Sequence, residues 1–430
     1  MKIRISGKQI DKCSNLNVTI MYNSVKSVFS FDLYWNPFEK SMRKIMLPGA
    51  YNYCTIVGDT GEIVLTGIII APSFESDCLP HLVNITGYSL TGVLDDVKYS
   101  AIFDSHQNTG LTLLQITKNI CSRFALKVVD KTNGLAEKAK IKIQQPNNSG
   151  TQANAETQID TSVADVDMSC TEYINSLCKD LNINLSHDRY GNLVLSIVED
   201  KTPLFDFGQG VPGIKYTLQF NGECMHSTNT AHSQGGNDAG ATVTNPYVGA
   251  NGHFNVIATG QNLPTVVEKN RVLQDILVEG ILNEYAVGYR PEVVIQTTSD
   301  SKDLMQVAKD ALAKELEEGI KIGIVIHDWD VPTDAGTQEL RPSSLPMPDN
   351  YINLLNPELY LFRKTKLFIQ SVTYNSDASH STATLVCVVP ECYNGESPIN
   401  IFTYEGNNED FAEHGEHAVI TPYDITQINL

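Results

Sequence analysis

Alternating apolar and polar residues run through roughly the first 98 positions and predict β-strands. Asn, Gly, Pro and Asp, which favour turns, separate the strand-like segments NLNVTIMY, KSVFSFDLYW, YNYCTIVG, GEIVLTGIIIA and HLVNITGYSL. The segment GDTG, at 58–61, has the length of a hairpin loop between two of them. This part of the chain therefore predicts a small barrel or sandwich over 1–98.

Helical periodicity begins near residue 105. Thr112 and Gln115 have the spacing of a capping box, and the apolar residues after them recur at helical intervals. Ser169 and Glu172 repeat this pattern in front of a second helix. Strand-like segments follow both helices: ALKVVD after the first, and NINLSHDRYGNLVLSI, which predicts a hairpin, after the second. The sequence therefore predicts a small α/β domain over 99–202, inserted into the β structure.

The rest of the chain predicts mainly strands. IKYTLQFNG and HFNVIATGQ are expected to complete the first barrel over 203–290. Between them, the Gly-, Asn-, Ser- and Thr-rich tract 228–252 is expected to be a mobile or partner-ordered loop. The strands EVVIQT, IGIVIHDW, KLFIQSVTYN and TATLVCVVP, with a helix from about Lys302 to Glu318, predict a second β-barrel over 291–395. Residues 396–430 form an acidic tail.

Charge narrows the choice of partners. The chain has 430 residues, enough for two to four domains, and a formal net charge of −19. No Lys or Arg follows Lys366. Because affinity for nucleic acid comes from neutralising phosphates with cations, sequence-specific nucleic-acid binding is not expected.

Cysteine use and hydropathy indicate the compartment. Nine cysteines, an odd number without repeated spacing, favour free thiols in a reducing cytoplasm. No apolar run is long enough to span a membrane, and the N-terminus lacks the apolar core of a signal peptide. We therefore expect synthesis and folding in a cytoplasm, without a membrane-spanning segment.

Candidate metal ligands are few. Cys224, His226 and His232 have plausible ligand chemistry, but they lie in or beside the polar tract and lack an obvious fourth ligand. Cys387 and Cys392 are interpreted as a core thiol and a loop thiol. His414 and His417 lie among carboxylates of the tail, where a solvated charged segment is the simpler interpretation. No metal site is predicted.

Catalytic motifs are equally sparse. The chain has no G-x-S-x-G elbow, no Walker loop, no G-x-G-x-x-G after a strand and no basic aromatic platform, so no cofactor is expected. Asp95 and Asp96 could form an acid/base pair only if a turn brought them together, because neighbouring strand residues point to opposite faces. We therefore expect a solvated turn and no catalytic residues.

The order of the predicted parts resembles the baseplate hub proteins of contractile phage tails, including the phage Mu hub and the hub-like half of type VI secretion spike proteins. Segments VLTGIIIAPSFES and VNITGYSLTGVLDD look like the end of the family's first barrel. The inserted domain is matched by GLTLLQITKNICSRFALKV and TEYINSLCKDLNINLSHDRYGNLVL, and the second barrel by RPEVVIQ, GIVIHDW and KLFIQSVTYNSDASHSTATLVCVVPECYN. VIATGQN resembles the returning strand.

The resemblance implies a mostly β, α+β protein with two similar β-barrel tube domains and an inserted α/β domain. It implies a homotrimer whose six barrels form a pseudo-sixfold ring between the sixfold tail tube and the trimeric spike, with DNA passing through its channel. The acidic excess suits such a channel, and other baseplate proteins are expected partners. The implied location is the virion tail baseplate, assembled in the bacterial host cytoplasm.

Other functions remain open from sequence alone. A tail-associated cell-wall hydrolase would depend on a carboxylate such as Asp96 or Glu172. The hub of a phage-derived contractile injection particle would have the same architecture as a phage hub. A secreted adhesin is disfavoured by the absence of a targeting signal and by the unpaired thiols.

Overall fold

A computed structural model describes residues 2–10, 13–75, 82–103, 108, 110–141, 158–159, 165, 167–179, 181–208, 214–233, 240–248, 290–296, 304–331, 345–377 and 380–402. The predicted strand HFNVIATGQ, His414, His417 and most of the acidic tail lie outside these residues.

The first unit is built from seven strands and one short helix. They are β1 (Lys2–Ile5), β2 (Lys8–Ile10), β3 (Cys13–Met21), β4 (Val28–Tyr34), α1 (Lys40–Ile45), β5 (Tyr53–Val57), β6 (Ile63–Phe74) and β7 (Leu82–Ser89). The predicted hairpin turn is present, since the Gly61 N–H donates to the Gly58 carbonyl at 3.1 Å between β5 and β6. Period-two burial, as in β4, confirms the strands predicted from alternation.

The inserted unit follows after a 3-10 turn at Leu90–Gly92. Its elements are α2 (Val93–Asp96), a 3-10 turn (Tyr99–Ala101), α3 (Leu113–Ser122), β8 (Val128–Lys131), α4 (Leu135–Lys138), β9 (Lys140–Ile141), β10 (Gln158–Ile159), α5 (Cys170–Lys179), β11 (Asn184–His187) and β12 (Leu193–Ser196). The β11-β12-β8 sheet and the helices enclose a separate apolar core. Both predicted capping boxes are present: Thr112 with Gln115, and Ser169 with Glu172.

The second unit and a small side sheet complete the described chain. The elements are β13 (Phe205–Gly208), β14 (Ile214–Phe220), β15 (Thr228–Ser233), β16 (Ala241–Thr244), β17 (Pro291–Gln296), α6 (Leu304–Gly319), β18 (Ile320–His327), β19 (Tyr351–Asn356), β20 (Leu361–Ser376), β21 (Ser381–Val388) and α7 (Glu391–Asn394), with 3-10 turns at Gly222–Cys224 and Pro357–Leu359. Strands β16, β15 and β17 form the side sheet, which packs on α6.

One 13-stranded sheet joins the two units. Its main path is β14-β18-β21-β20-β3-β4-β7-β6-β5-β1-β2, and β13 and β19 branch from β20. We call the stretch from β14 to β6 the arc. The pairings among the described residues leave this sheet open, without the two closed barrels expected from the sequence. The inner face of the sheet carries one continuous apolar core that includes residues from both units.

The connectivity differs from the expected order in two respects. Residues 203–290 were expected to complete the first barrel, but β13 pairs with β19 and β14 pairs with β18. The chain therefore enters the second unit directly after the insertion. EVVIQT was expected in the second barrel, but as β17 it pairs with β15 of the side sheet. Sequence periodicity identifies a strand but not its neighbour, because backbone hydrogen bonds form between strands of any sequence.

The polar tract also differs from the prediction of a loop. Its described parts include β15 and β16, which pair antiparallel, while β15 also pairs in parallel with β17. Ala231 is fully buried, and α6 packs on β15. These strands form because a partner distant in the sequence supplies backbone hydrogen bonds and a helix supplies apolar cover, and neither is visible in local composition.

Candidate functional site

The two units have the same strand order. In the first unit the order is β3-β4-β7-β6-β5-β1, and in the second it is β14-β18-β21-β20-β19-β13. A β-bulge interrupts the pairing at the same point in both long hairpins, between Ile69 and Ala71 in β6 and between Ile369 and Ser371 in β20. A shared order with a shared bulge indicates an internal structural repeat.

The units meet at a junction between β3 and β20. Beyond its bulge, β20 pairs antiparallel with β3, with Ser371 opposite Met21 and Ser376 opposite Leu16. The Tyr22 N–H donates to the Gln370 carbonyl at 2.8 Å at one end of this ladder. The sheet therefore passes from one repeat to the next without a break.

Side chains on the outer face of the arc are mostly small, polar and uncharged. The Thr19 and Thr373 hydroxyl oxygens lie 3.2 Å apart across the junction, and Asn17 Nδ2 donates to Asn375 Oδ1 at 2.6 Å. The other polar, uncharged residues on this face include Ser30, Asn84, Thr86, Thr217, Gln219, Ser371, Thr382 and Thr384.

Charge on the outer face is sparse. Asp32 is the one carboxylate within the described arc strands, and it accepts hydrogen bonds from Asn15 at 2.7 Å and Asn84 at 2.8 Å. The basic side chains on this face are Lys215, Lys321, His327, Lys364 and Lys366, and the last two form ion pairs with Asp206 and Asp200. The acidic excess of the chain therefore does not lie on the outer face. The Thr, Ser and Asn at alternate positions of β3, β20 and β21 are the sequence signal for this surface, and sequence analysis did not use it.

Asp95 and Asp96 are exposed, as expected of a solvated position, but they lie in the short helix α2 and not in a strand-end turn. The Lys26 ammonium donates to Asp96 at 2.7 Å, and the Tyr88 hydroxyl donates to its other oxygen. Burial alone would raise the pKa of Asp96, but the bonds from Lys26 and Tyr88 outweigh it and hold that pKa below its usual range. A carboxylate held ionised by two donors serves as a structural link between α2, β7 and the segment that precedes β4.

Glu172, the other carboxylate considered for hydrolysis, closes the capping box of α5. Its Oε2 accepts from the Ser169 N–H at 2.7 Å, and its own N–H donates to the Ser169 hydroxyl at 3.1 Å. These bonds satisfy N–H groups that the helix itself cannot bond. Glu172 thus has a structural role at this position.

The structure does not bring Cys224, His226 and His232 together as ligands. His226 Nδ1 lies 2.7 Å from Oε1 of Glu315, whereas Cys224 accepts a hydrogen bond from Asn221 at 3.1 Å. Within the described ranges, no three His, Cys, Asp or Glu side chains converge on a point where they could hold a metal ion.

Cys387 and Cys392 are both buried, the first in β21 and the second in helix α7, so the expectation of a loop thiol at Cys392 is wrong. Burial raises the pKa of both thiols, and such thiols are poor nucleophiles. The eight described cysteines are all free. None of the helices in the described part of the chain has the length and apolar content needed to cross a bilayer.

Two solved phage tail proteins share the overall fold of this chain. The prophage MuSo2 43 kDa tail protein from Shewanella oneidensis is similar over 91% of this chain and 98% of its own, with a TM-score of 0.62 and 15% identity. The tail protein from Neisseria meningitidis MC58 is similar over 92% of this chain and 98% of its own, with the same TM-score of 0.62 and 15% identity. The resemblance predicted from the sequence is therefore confirmed for the fold.

A chain in the Francisella PdpA-VgrG complex also aligns, over 93% of this chain and 59% of its own, with a TM-score of 0.49 and 12% identity. No protein-family model and no curated protein matches the sequence.

Proposed function

We propose that this chain is a structural, non-catalytic hub subunit of a contractile phage-type tail. In this proposal three copies form a ring at the baseplate, with the sixfold tail tube on one side and the trimeric spike on the other. Other baseplate proteins surround the ring, and assembly takes place in the cytoplasm of the bacterial host. The proteins of similar fold from Shewanella oneidensis and Neisseria meningitidis are tail proteins, which supports a tail role here.

The internal repeat carries the proposal. Each chain has two units with equivalent strand order, joined edge to edge at β3 and β20. Three chains would therefore supply six equivalent units, which lets a threefold assembly present an approximately sixfold surface. If each chain had only one such unit, the same ring would need six copies. The six subunits of that ring could not each pair with one subunit of a trimeric spike.

The outer face of the arc supports the assignment of a channel lining. DNA adheres to surfaces with clustered Lys and Arg, and a strongly acidic surface would repel it. The outer face has few charges of either sign, and its Thr, Ser and Asn side chains are partly bonded to one another. A neutral lining lets DNA pass without strong attraction or a large electrostatic barrier, which replaces the acidic lining inferred from composition.

The domain division belongs to the same proposal. The inserted unit, 99–202, has its own apolar core and is placed on the outside of the ring, away from the channel. The acidic tail, 396–430, is a separate part of this division. The two tube units then consist of 1–98 and of the strands that follow the insertion, up to residue 395.

Native mass measurement and electron microscopy of the purified protein test the proposal together. We expect a complex of three chains that appears as a threefold ring with a central pore. A monomer that persists at high concentration and binds neither tail tube nor spike would contradict the proposal. Cell-wall turnover that is lost in Asp96→Asn or Glu172→Gln would instead support a hydrolase.

A further inference from the structure

We propose that copies of this chain join by pairing β14 of one copy with residues Ala71–Phe74 of β6 in the next copy. The inference rests on the proposed ring and names the two strand edges that build it. Within the described residues, β14 and the end of β6 are the two ends of the arc, and each has a strand on one side only. In this proposal a second copy of the same chain supplies the missing neighbour of each edge.

The repeat makes β14 the equivalent of β3. In the first unit, Val18 lies opposite Phe29, which lies opposite Gly87. In the second unit, Leu218 lies opposite Ile322, which lies opposite Cys387. Gly87 and Cys387 in turn pair with Ile69 and Ile369, immediately before the shared bulge. Leu218 therefore occupies the position that Val18 occupies in the first unit.

The same comparison makes the end of β6 the equivalent of the end of β20. After the bulge, Phe74 lies opposite Val83 and Tyr374 lies opposite Ala383, at matching positions of the two hairpins. On its other side, β20 pairs with β3. No strand among the described residues lies on the matching side of β6. The end of β6 therefore lacks, within the described chain, the neighbour that β3 provides for β20.

Side chains on the two free edges are more exposed than those at the equivalent positions of the internal junction, as expected when a neighbouring strand is missing. Ile20, inside the junction, is 3% exposed, whereas the matching Phe220 of β14 is 48% exposed. Tyr374 is 0% exposed, whereas the matching Phe74 of β6 is 39% exposed. The apolar side chains on both free edges therefore expose surface that their counterparts bury in the internal junction. Burying this apolar surface against another copy would be favourable.

The internal junction also fixes the register between copies. Its pairs Val372–Ile20, Thr373–Thr19 and Tyr374–Val18 become Pro72–Phe220, Ser73–Gln219 and Phe74–Leu218 in the proposed interface. Ser73 and Gln219 would face the channel, as Thr373 and Thr19 do. Phe74 and Leu218 would face the core.

Pro72 modifies this ladder. Because the Gln370 carbonyl accepts from the Tyr22 N–H, Val372, two residues further, directs its own N–H toward β3. Pro72 holds the matching position and has no N–H, so the interface has one donor fewer than the internal junction. Proline is tolerated at strand edges, where it also limits pairing with unrelated strands. The Pro72 carbonyl can still accept a hydrogen bond from the Phe220 N–H of the next copy.

The two free edges of each copy allow a closed ring. Each copy offers one β14 edge and one β6 edge at opposite ends of its arc, so the contact is head-to-tail and propagates from copy to copy. A head-to-tail contact forms a ring when the rotation between copies closes. The closed ring leaves neither edge exposed, which removes the aggregation risk of two free strand edges.

Disulfide trapping with Ser73→Cys and Gln219→Cys in one chain tests the register. The matching internal pair, Thr19 and Thr373, has hydroxyl oxygens 3.2 Å apart, so a Thr19→Cys, Thr373→Cys variant serves as the intrachain control. We expect the first variant to give covalent dimers and closed trimers after mild oxidation, and the control to give crosslinked monomers. A mixture of the two single variants is expected to give dimers only.

A register-shifted pair, Ser73→Cys with Thr217→Cys, provides the matched negative control. Native mass, measured on the same samples, separates this inference from the proposed function. A trimer in which the Ser73 and Gln219 pair does not crosslink, or crosslinks no better than the shifted pair, overturns the strand interface and leaves the trimer standing. A monomer overturns the proposed function and the interface together.

Discussion

Gln370 donates its side-chain amide to Oε1 of Glu317 at 2.6 Å, linking strand β20 to helix α6 beside the junction of the two units. The Tyr393 hydroxyl donates to the same oxygen at 2.8 Å, and the Asn23 amide lies 3.3 Å from it. One carboxylate oxygen thus ties together the second unit, helix α7 and the segment that follows β3. Sequence analysis identified none of these residues as a group.

Glu317→Ala is expected to destabilise the protein. The substitution removes the acceptor of the Tyr393 hydroxyl and one of the two acceptors of the buried Gln370 amide, which keeps its bond to the Tyr393 hydroxyl at 3.0 Å. Loss of the acceptor of a buried donor costs about 1–3 kcal/mol. Urea unfolding should therefore show a lower midpoint. Glu318→Ala, at the exposed neighbouring position, is the control and should change the free energy of unfolding by less than about 0.5 kcal/mol. Equal stability of the two variants would contradict the structural role of Glu317.

His187 is expected to make stability depend on pH. Its Nε2 lies 2.6 Å from the Ser27 hydroxyl and its Nδ1 lies 3.0 Å from the Asp188 carbonyl, so the neutral ring donates through Nδ1 and accepts through Nε2. Burial lowers the pKa of His187, and the nearby Asp188 offsets this only in part. This contact joins β11 of the inserted unit to the residue that precedes β4.

Because the folded-state pKa of His187 lies below the unfolded value of 6.5, the unfolded state binds more protons as the pH falls. The stability from the neutral ring is thus present above pH 6.5 and is lost as the pH falls toward the folded pKa. Thermal unfolding should shift to lower temperature between pH 7.5 and about pH 5. His187→Gln should reduce this slope, and an unchanged slope would contradict the assignment. His327→Gln, on the outer face, is the matched control.

Gly87→Ala is expected to destabilise the first unit. A methyl group at Gly87 would meet the Phe29 ring and the Ile68 carbonyl, and Phe29 is buried and held in the core. Overpacking of this kind costs about 1–3 kcal/mol. At Gly208 of β13 the nearest atom to an added methyl is the Leu355 carbonyl oxygen at 3.7 Å, so Gly208→Ala should have little effect on the urea midpoint. A tolerated Gly87→Ala would show that the backbones of β6 and β7 can separate.

Pro72→Val is expected to strengthen the contact between copies. Valine restores the N–H that Val372 supplies in the internal junction, and one backbone hydrogen bond contributes about 1 kcal/mol, or roughly fivefold in Kd per interface. In sedimentation experiments, trimers of the variant should persist to a lower protein concentration than trimers of the unchanged protein. Pro48→Val, at an exposed loop position, should leave association unchanged. Weaker association of Pro72→Val would argue against the proposed register.

Local features were predictable because they depend on residues close together in the chain. The capping boxes at Thr112 and Ser169 are satisfied by residues three positions later, and the hairpin turn at 58–61 is closed by its own backbone. Strands such as β4 and β18 alternate apolar and polar residues because one face of each strand is buried. For the same reason α6 was identified from its apolar spacing.

Strand partners were not predictable in this way. Residues 203–290 contain β13 and β14, whose neighbours β19 and β18 come more than a hundred positions later in the chain. The polar tract forms β15 because β17 and α6 lie beside it in space. Asp96 was expected in a turn, but it ends a short helix, where Lys26 of the segment before β4 and Tyr88 of β7 bond its carboxylate.

By itself the sequence determined most of the strands with alternating burial, the helices α3, α5 and α6, and that the chain contains a β structure with an α/β insertion. Those properties follow from hydrophobic periodicity and from hydrogen bonds between neighbouring residues. Only the tertiary structure decided that the two β units share one strand order and one sheet, and which edges of that sheet lack a neighbour. Apart from proline, every residue offers the same backbone hydrogen-bonding groups to a neighbouring strand, so neighbours are selected by the packing of the whole core.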